Sequence, residues 1–135
     1  MLTRNTLSLA DAKKVAAAAS AKAVAEGWTV VIAIHDSGGN LIYLERADGT
    51  QLGSIVVAQE KSRTALMFRR PTKVLEDTVL AGRVHMMSVP GITSVEGGLP
   101  LWVGGEIVGS IGVSGVQSSQ DGEVAAAGAA AVADR

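Results

Sequence analysis

The amino-acid sequence predicts an α+β fold, an antiparallel sheet of four or five strands with helices packed on it, and three observations carry that prediction. Residues 99–113, LPLWVGGEIVGSIGV, divide into two apolar strands around Gly104-Gly105, and paired glycines reach the positive φ angles that a two-residue hairpin turn requires. Residues 28–34 and 41–45 repeat this grammar around Asp36-Ser37-Gly38-Gly39-Asn40, and "GGNLI" at 38–42 echoes "GGEIV" at 104–108. Strands that arrive as hairpins, with no helix between the members of each pair, build an antiparallel sheet. The expected order is helix, two strands, two helices, a long loop, two strands, helix, with any fifth strand drawn from the loop.

The first helix opens at Ser8, where Asp11 three residues on completes a capping box with Asp replacing the usual Glu, and closes at Gly27. Leu9, Ala12, Ala16, Ala19 and Ala23 form its apolar stripe. The first hairpin leaves through the charged, turn-rich segment Glu45-Arg46-Ala47-Asp48-Gly49-Thr50. A second helix spans residues 54–68 and ends ahead of Pro71, because the residue before proline is biased away from helix. Thr72 is expected to cap a third, to about Leu80. Residues 81–98 show no clear period, and a loop of that length in a small domain is usually a lid or a binding loop. In the last strand the odd positions from Ile107 are greasier than Val108, Ser110, Gly112 and Ser114, so a helix can lie very close to that second, small face. A last helix, 121–133, is almost entirely Ala and Val, a pattern that is normally buried.

With 135 residues, one domain spanning 1–135 is expected. The chain is 47% hydrophobic and only 3% aromatic, so small side chains pack the elements closely and a homo-oligomer is expected to cover part of the apolar surface. A net charge of −1 attracts neither nucleic acid nor an anionic membrane. The absence of cysteine excludes disulfides, thiolate nucleophiles and zinc–thiolate sites. No stretch approaches the roughly 20 apolar residues of a membrane span, and the first residues lack a signal-peptide run, so a cytoplasmic, soluble protein is expected.

Lys61 is the sharpest anomaly, because Val57, Ala65 and Phe68 place it on an apolar stripe of the second helix. Its stem either covers apolar surface while the ammonium finds solvent or a carboxylate, or it anchors an anionic ligand in a pocket bounded by the long loop and residues 97–100. His85, with Met86 and Met87, is the metal-competent cluster, since histidine and methionine both ligate haem iron. His35 sits at a strand end with no second imidazole near it in sequence. Glu96, Asp36, Asp48 and Glu60 lie near element ends, where spacing alone selects no acid–base pair. No phosphate loop is present.

Four stretches taken together, "VVIAIHDSGGNLIYLERADG" (30–49), "SIVVAQEKSRTALMFRRPT" (54–72), "GGLPLWVGGEIVGSIGVSG" (97–115) and the Ala-rich end, resemble the GlcG/HbpS family, which includes the carboxy-terminal domain of PduO-type proteins. The resemblance implies a profilin- or PAS-like layer and an oligomer. Some members bind haem or its degradation products, and others accompany glycolate, diol or glycerol metabolism. Matching positions are Asp36 and Gly39, Arg46, Asp48 and Gly49, Lys61 and Thr64, Pro71-Thr72, and Gly97, Gly98 and Pro100. The segment 83–96 departs from the family's more Gly-rich pattern. The expectation is therefore a small-molecule-binding protein that takes haem, a related tetrapyrrole or no cofactor, or is accessory to hydroxy-acid or diol catabolism. Asp36, Arg46, Asp48, Lys61, Thr64, His85, Met86, Gly97 and Gly98 are the ligand-binding candidates, with His85 the candidate metal ligand. The alternative is a small enzyme that acts on an anionic carboxylate or hydroxy-carbonyl metabolite through Lys61 and Glu96.

Overall fold

A computed structural model describes residues 1–133 and contains α1 (Leu9–Glu26), β1 (Val31–Asp36), β2 (Leu41–Arg46), α2 (Ser54–Phe68), α3 (Thr72–Leu80), a 3-10 turn (Val84–Ser88), β3 (Gly98–Val103), β4 (Glu106–Ser114) and α4 (Ser118–Ala130). The strands form one antiparallel sheet in the order β2-β1-β4-β3, which places the first strand of one hairpin beside the second strand of the other at its centre. The expected order and hairpins are present. The long loop contributes a 3-10 turn rather than a fifth strand.

Local chemistry accounts for the boundaries. Ser8 Oγ accepts the Asp11 amide at 3.1 Å and the Asp11 carboxylate accepts the Ser8 amide at 3.1 Å, so two otherwise orphaned donors at the start of α1 are satisfied reciprocally. Gly27 ends α1 at φ 74°, and Gly104 and Gly105 turn the second hairpin at φ 57° and 79°. Pro71, rather than Thr72, is the residue ahead of α3; the Thr72 hydroxyl instead accepts the Gly98 amide at 2.9 Å, which ties α3 to the start of β3. α4 begins three residues earlier than expected, with the Gln120 side chain accepting the Gln117 amide at 3.2 Å.

The two faces of the sheet are covered differently. α1 and α4 cover one, over an aliphatic core that includes Val15, Ala19, Ile32, Ile34, Ile111, Val113 and Val124. α2 covers the other, its Ala58 clustering with Val31 and Ala33 of β1. As the small face of β4 predicts, α2 lies almost on the backbone: a methyl group on Gly112 would overlap the Ala58 carbonyl oxygen and stand 2.6 Å from the Ser62 amide nitrogen. Val108 is the exception, since the register slips between Leu101 and Trp102 and Val108 joins the aliphatic core beside Leu7 rather than facing α2.

Candidate functional site

α2 and the sheet stay in step because four helical residues advance about 6 Å and two strand residues advance about 6.7 Å. Ser54 Oγ accordingly meets Ser114 Oγ at 3.0 Å, Ala58 lies over Gly112, and Ser62 Oγ meets Ser110 Oγ at 2.8 Å. His35 shares the inward side of β1 with Val31 and Ala33, pairs across to Ser110, and places Nδ1 2.7 Å from Ser62 Oγ. This seam is dry. Burial is the main reason the His35 imidazole is lowered to about pKa 4, with the nearby Arg63 charge adding to it and Asp36 opposing. It is a neutral hydrogen-bonding group inside the fold.

Lys61 leaves the same seam sideways. Only 2% exposed, its Nζ donates to the Val113 carbonyl at 3.0 Å and to Asp121 Oδ2 at 3.1 Å. The other carboxylate oxygen accepts the Val116 amide at 3.1 Å, so one buried ion pair joins α2, β4 and the first turn of α4. Burial pushes the Asp121 carboxyl up from its ordinary value, while Lys61 and the Val116 and Gly115 amides pull it back down. Gly97 and Gly98 seal this arrangement. A Cβ on Gly97 would stand 2.9 Å from Lys61 Nζ, and one on Gly98 would overlap the Lys61 carbonyl oxygen. The lysine's counter-charge is thus internal, and an ammonium that reached a substrate would first have to abandon Asp121.

The structure brings Lys61, Thr64, Glu96, Gly97 and Gly98 into one neighbourhood. Thr64 Oγ1 donates to the Gly91 carbonyl at 3.1 Å and accepts the Thr93 amide at 3.0 Å, pinning the long loop to α2. A cleft of about 180 Å³ opens beside this pin, walled by Met67, Phe68 and Pro90 with Glu60 and Arg63 at its edge. Glu96 lies against Gly122, next to the Asp121 that holds Lys61.

The other candidates lie elsewhere. Asp36 spans the first hairpin turn, its Oδ1 accepting the Gly38 and Asn40 amides at 2.9 and 3.0 Å. Arg46 and Asp48 are exposed at the opposite end of β2. His85 is exposed on the 3-10 turn, its ring without a hydrogen-bond partner among the described residues, and Met86 beside it is half-buried. No group of three or more His, Cys, Asp or Glu able to hold a metal ion occurs among the described residues.

Asp121 and His35 are the important residues that sequence reasoning missed. Asp121 lies 60 positions from its lysine, beyond any spacing rule. His35 was detectable, because it continues the alternation of Val31 and Ala33.

Residues 7–130 match the family model described as "Haem degrading protein HbpS-like". The chain belongs to that family. Among its HbpS-like relatives, Protein GlcG of Escherichia coli (strain K12) is 42% identical over 114 residues, covering 84% of this chain and 85% of GlcG. The crystal structure of a double mutant of HbpS from Streptomyces reticuli superposes with a TM-score of 0.88 at 34% identity, covering 96% of this chain and 89% of that one. A PduOC–heme complex superposes with a TM-score of 0.85 at 28% identity, covering 94% of this chain and 95% of that one. As an HbpS-like domain the chain has four helices and a four-stranded antiparallel sheet, and among the described residues no helix is long and apolar enough to cross a membrane.

Proposed function

We propose that this chain is a small-molecule-binding protein whose ligand is haem or a related tetrapyrrole, held by a homo-oligomer. The observation that carries the reading is the heme complex of PduOC, a protein similar to this chain over nearly the full length of both. The donor chemistry supports it: imidazole and thioether are haem-iron ligands, and the His85 ring is exposed, unpartnered and flanked by the exposed apolar Val84 and Met87. His85 would ligate the haem iron in this reading, with Met86 the next candidate. His35 is unsuited, being buried with one ring nitrogen committed to Ser62. Bound haem would supply a redox-active iron centre.

Titration of the protein with haem tests the reading. A saturable Soret shift is expected, and its maximum changes in His85→Ala. No shift in the wild type overturns the proposal, and an unaltered spectrum in His85→Ala removes His85 from it. The oligomer is supported by exposed apolar side chains at both ends of α2, Leu52 and Val56 at the start and Met67 at the close, with Leu80 at the end of α3. Light scattering should return a multiple of 13.8 kDa; a monomer at micromolar concentration overturns this part.

A further inference from the structure

Both hairpin tips, the end of α2 and the N-terminal residues meet around a cleft of about 370 Å³. The N-terminal segment straps the tips together: Ser37 donates its amide to Thr6 Oγ1 at 2.9 Å, and Leu7 donates its amide to the Val108 carbonyl at 3.0 Å. Two guanidiniums, Arg4 from the strap and Arg69 from the end of α2, line the cleft. No carboxylate stands within ion-pair distance of either among the described residues. The acid in the lining, Glu106, is already engaged, its Oε1 accepting the Asn5 amide at 3.0 Å and its Oε2 accepting Asn5 Nδ2 at 3.1 Å. Two guanidiniums against one carboxylate, which neutral Asn5 donors hold, leave the cleft net positive among the described residues, with neither arginine in an ion pair.

Arg69 is held in place from two sides. Its guanidinium lies 5.9 Å from the Trp102 ring centroid, a cation–π distance. Its backbone has φ 58°, the one positive φ outside glycine among the described residues, at a helix-ending position where glycine would carry no Cβ penalty. The α2 terminus does not consume its charge, because the Leu66 carbonyl accepts the Arg69 amide and the Phe68 carbonyl accepts Arg70 Nε at 2.8 Å. The remaining wall is apolar, from Leu66, Met67 and Ile107.

We infer that this cleft is a carboxylate-binding site: Arg4 and Arg69 pair the carboxylate, and Leu66, Met67 and Ile107 pack on a short apolar body. Guanidinium geometry matches a carboxylate with parallel N–H···O bonds, which makes arginine the suited partner. The inference is independent of haem binding by His85. The carboxylate belongs either to a free short-chain acid or to the propionate of a larger ligand.

Butyrate is the probe and butyramide its neutral isostere, each titrated into the full chain and followed by amide chemical shifts. Butyrate should give saturable shifts at Ser37, Gly105 and Ile107, which butyramide does not reproduce at the same concentration. Arg4→Gln and Arg69→Gln should each weaken butyrate about tenfold or more, the scale of a charge-assisted hydrogen bond. Arg69→Gly should melt no lower than the wild type, because glycine suits the backbone, and still lose butyrate. An equal response to butyrate and butyramide, or undiminished butyrate binding in both glutamine variants, overturns the site. Competition by haem but not by haem dimethyl ester would assign the carboxylate to a tetrapyrrole, and absence of competition would assign it to a free acid; either result keeps the site and names its source. Failure of the Soret titration leaves butyrate binding standing.

Discussion

The two faces of strands β1 and β4 are built from alternate residues of the same sequence, yet they hold the protein together by different means. On the α1–α4 side, Ile32, Ile34, Ile111 and Val113 meet alanines and valines, and cohesion comes from apolar area removed from water. On the α2 side, Ser54, Ser62, Ser110, Ser114 and His35 meet through hydrogen bonds, glycines let backbone approach backbone, and one ion pair crosses to α4. The first kind of contact tolerates small changes in shape. The second does not, because its buried hydroxyls and the His35 Nδ1 are each hydrogen-bonded to a specific partner.

Substitutions one residue apart in β4 break this contrast most directly. Gly112→Ala adds one methyl group where the Ala58 carbonyl already stands, so α2 must lift off the sheet. The expected loss exceeds about 4 kcal/mol, most of a small domain's margin, and appears in urea denaturation as a chain with no cooperative transition. If Gly112→Ala unfolds like the wild type, α2 is not seated as described. Lys61→Met comes next, since it leaves Asp121 buried without its cation, and about 3 kcal/mol should be lost. Adding Asp121→Asn should restore most of that loss, because no buried charge remains and the Val116 amide keeps its acceptor. Additive losses in this double-mutant cycle would mean that the two charges do not interact. Ile111→Val, on the aliphatic face, removes one methyl group and should lower stability by only about 1 kcal/mol, with the denaturant slope unchanged.

Legibility in the sequence follows the same division. Gly104-Gly105, the Ser8–Asp11 box and Pro71 act within a few residues, so the hairpins and the limits of α1, α2 and α3 were readable. The small face of Ser110, Gly112 and Ser114 was readable by alternation, and only the slip at Val108 escaped, because a bulge leaves no periodic signal. Lys61 stands out as an anomaly, and of its two readings the structure gives the one in which the ammonium finds a carboxylate. That carboxylate is not legible, because Asp121 lies 60 positions away and only the packing of α4 on β4 brings it near. The cleft between the hairpin tips escaped for a related reason: Arg4 and Arg69 belong to segments far apart in sequence, and neither stands in a pattern that marks a charge as special.

Pro100 gives the sheet a sidedness of its own. It sits within β3, at one margin of the sheet, paired with Ser110 and followed by the register slip between Leu101 and Trp102. A strand from another molecule laid along β3 would find a missing donor at Pro100, and main-chain pairing would stall there. The β2 margin carries no proline, and the extra residue at its register shift against β1 is its own Ile42. A fibre needs both margins of the sheet, so the proline at β3 is enough to guard the chain against open-ended growth from molecule to molecule.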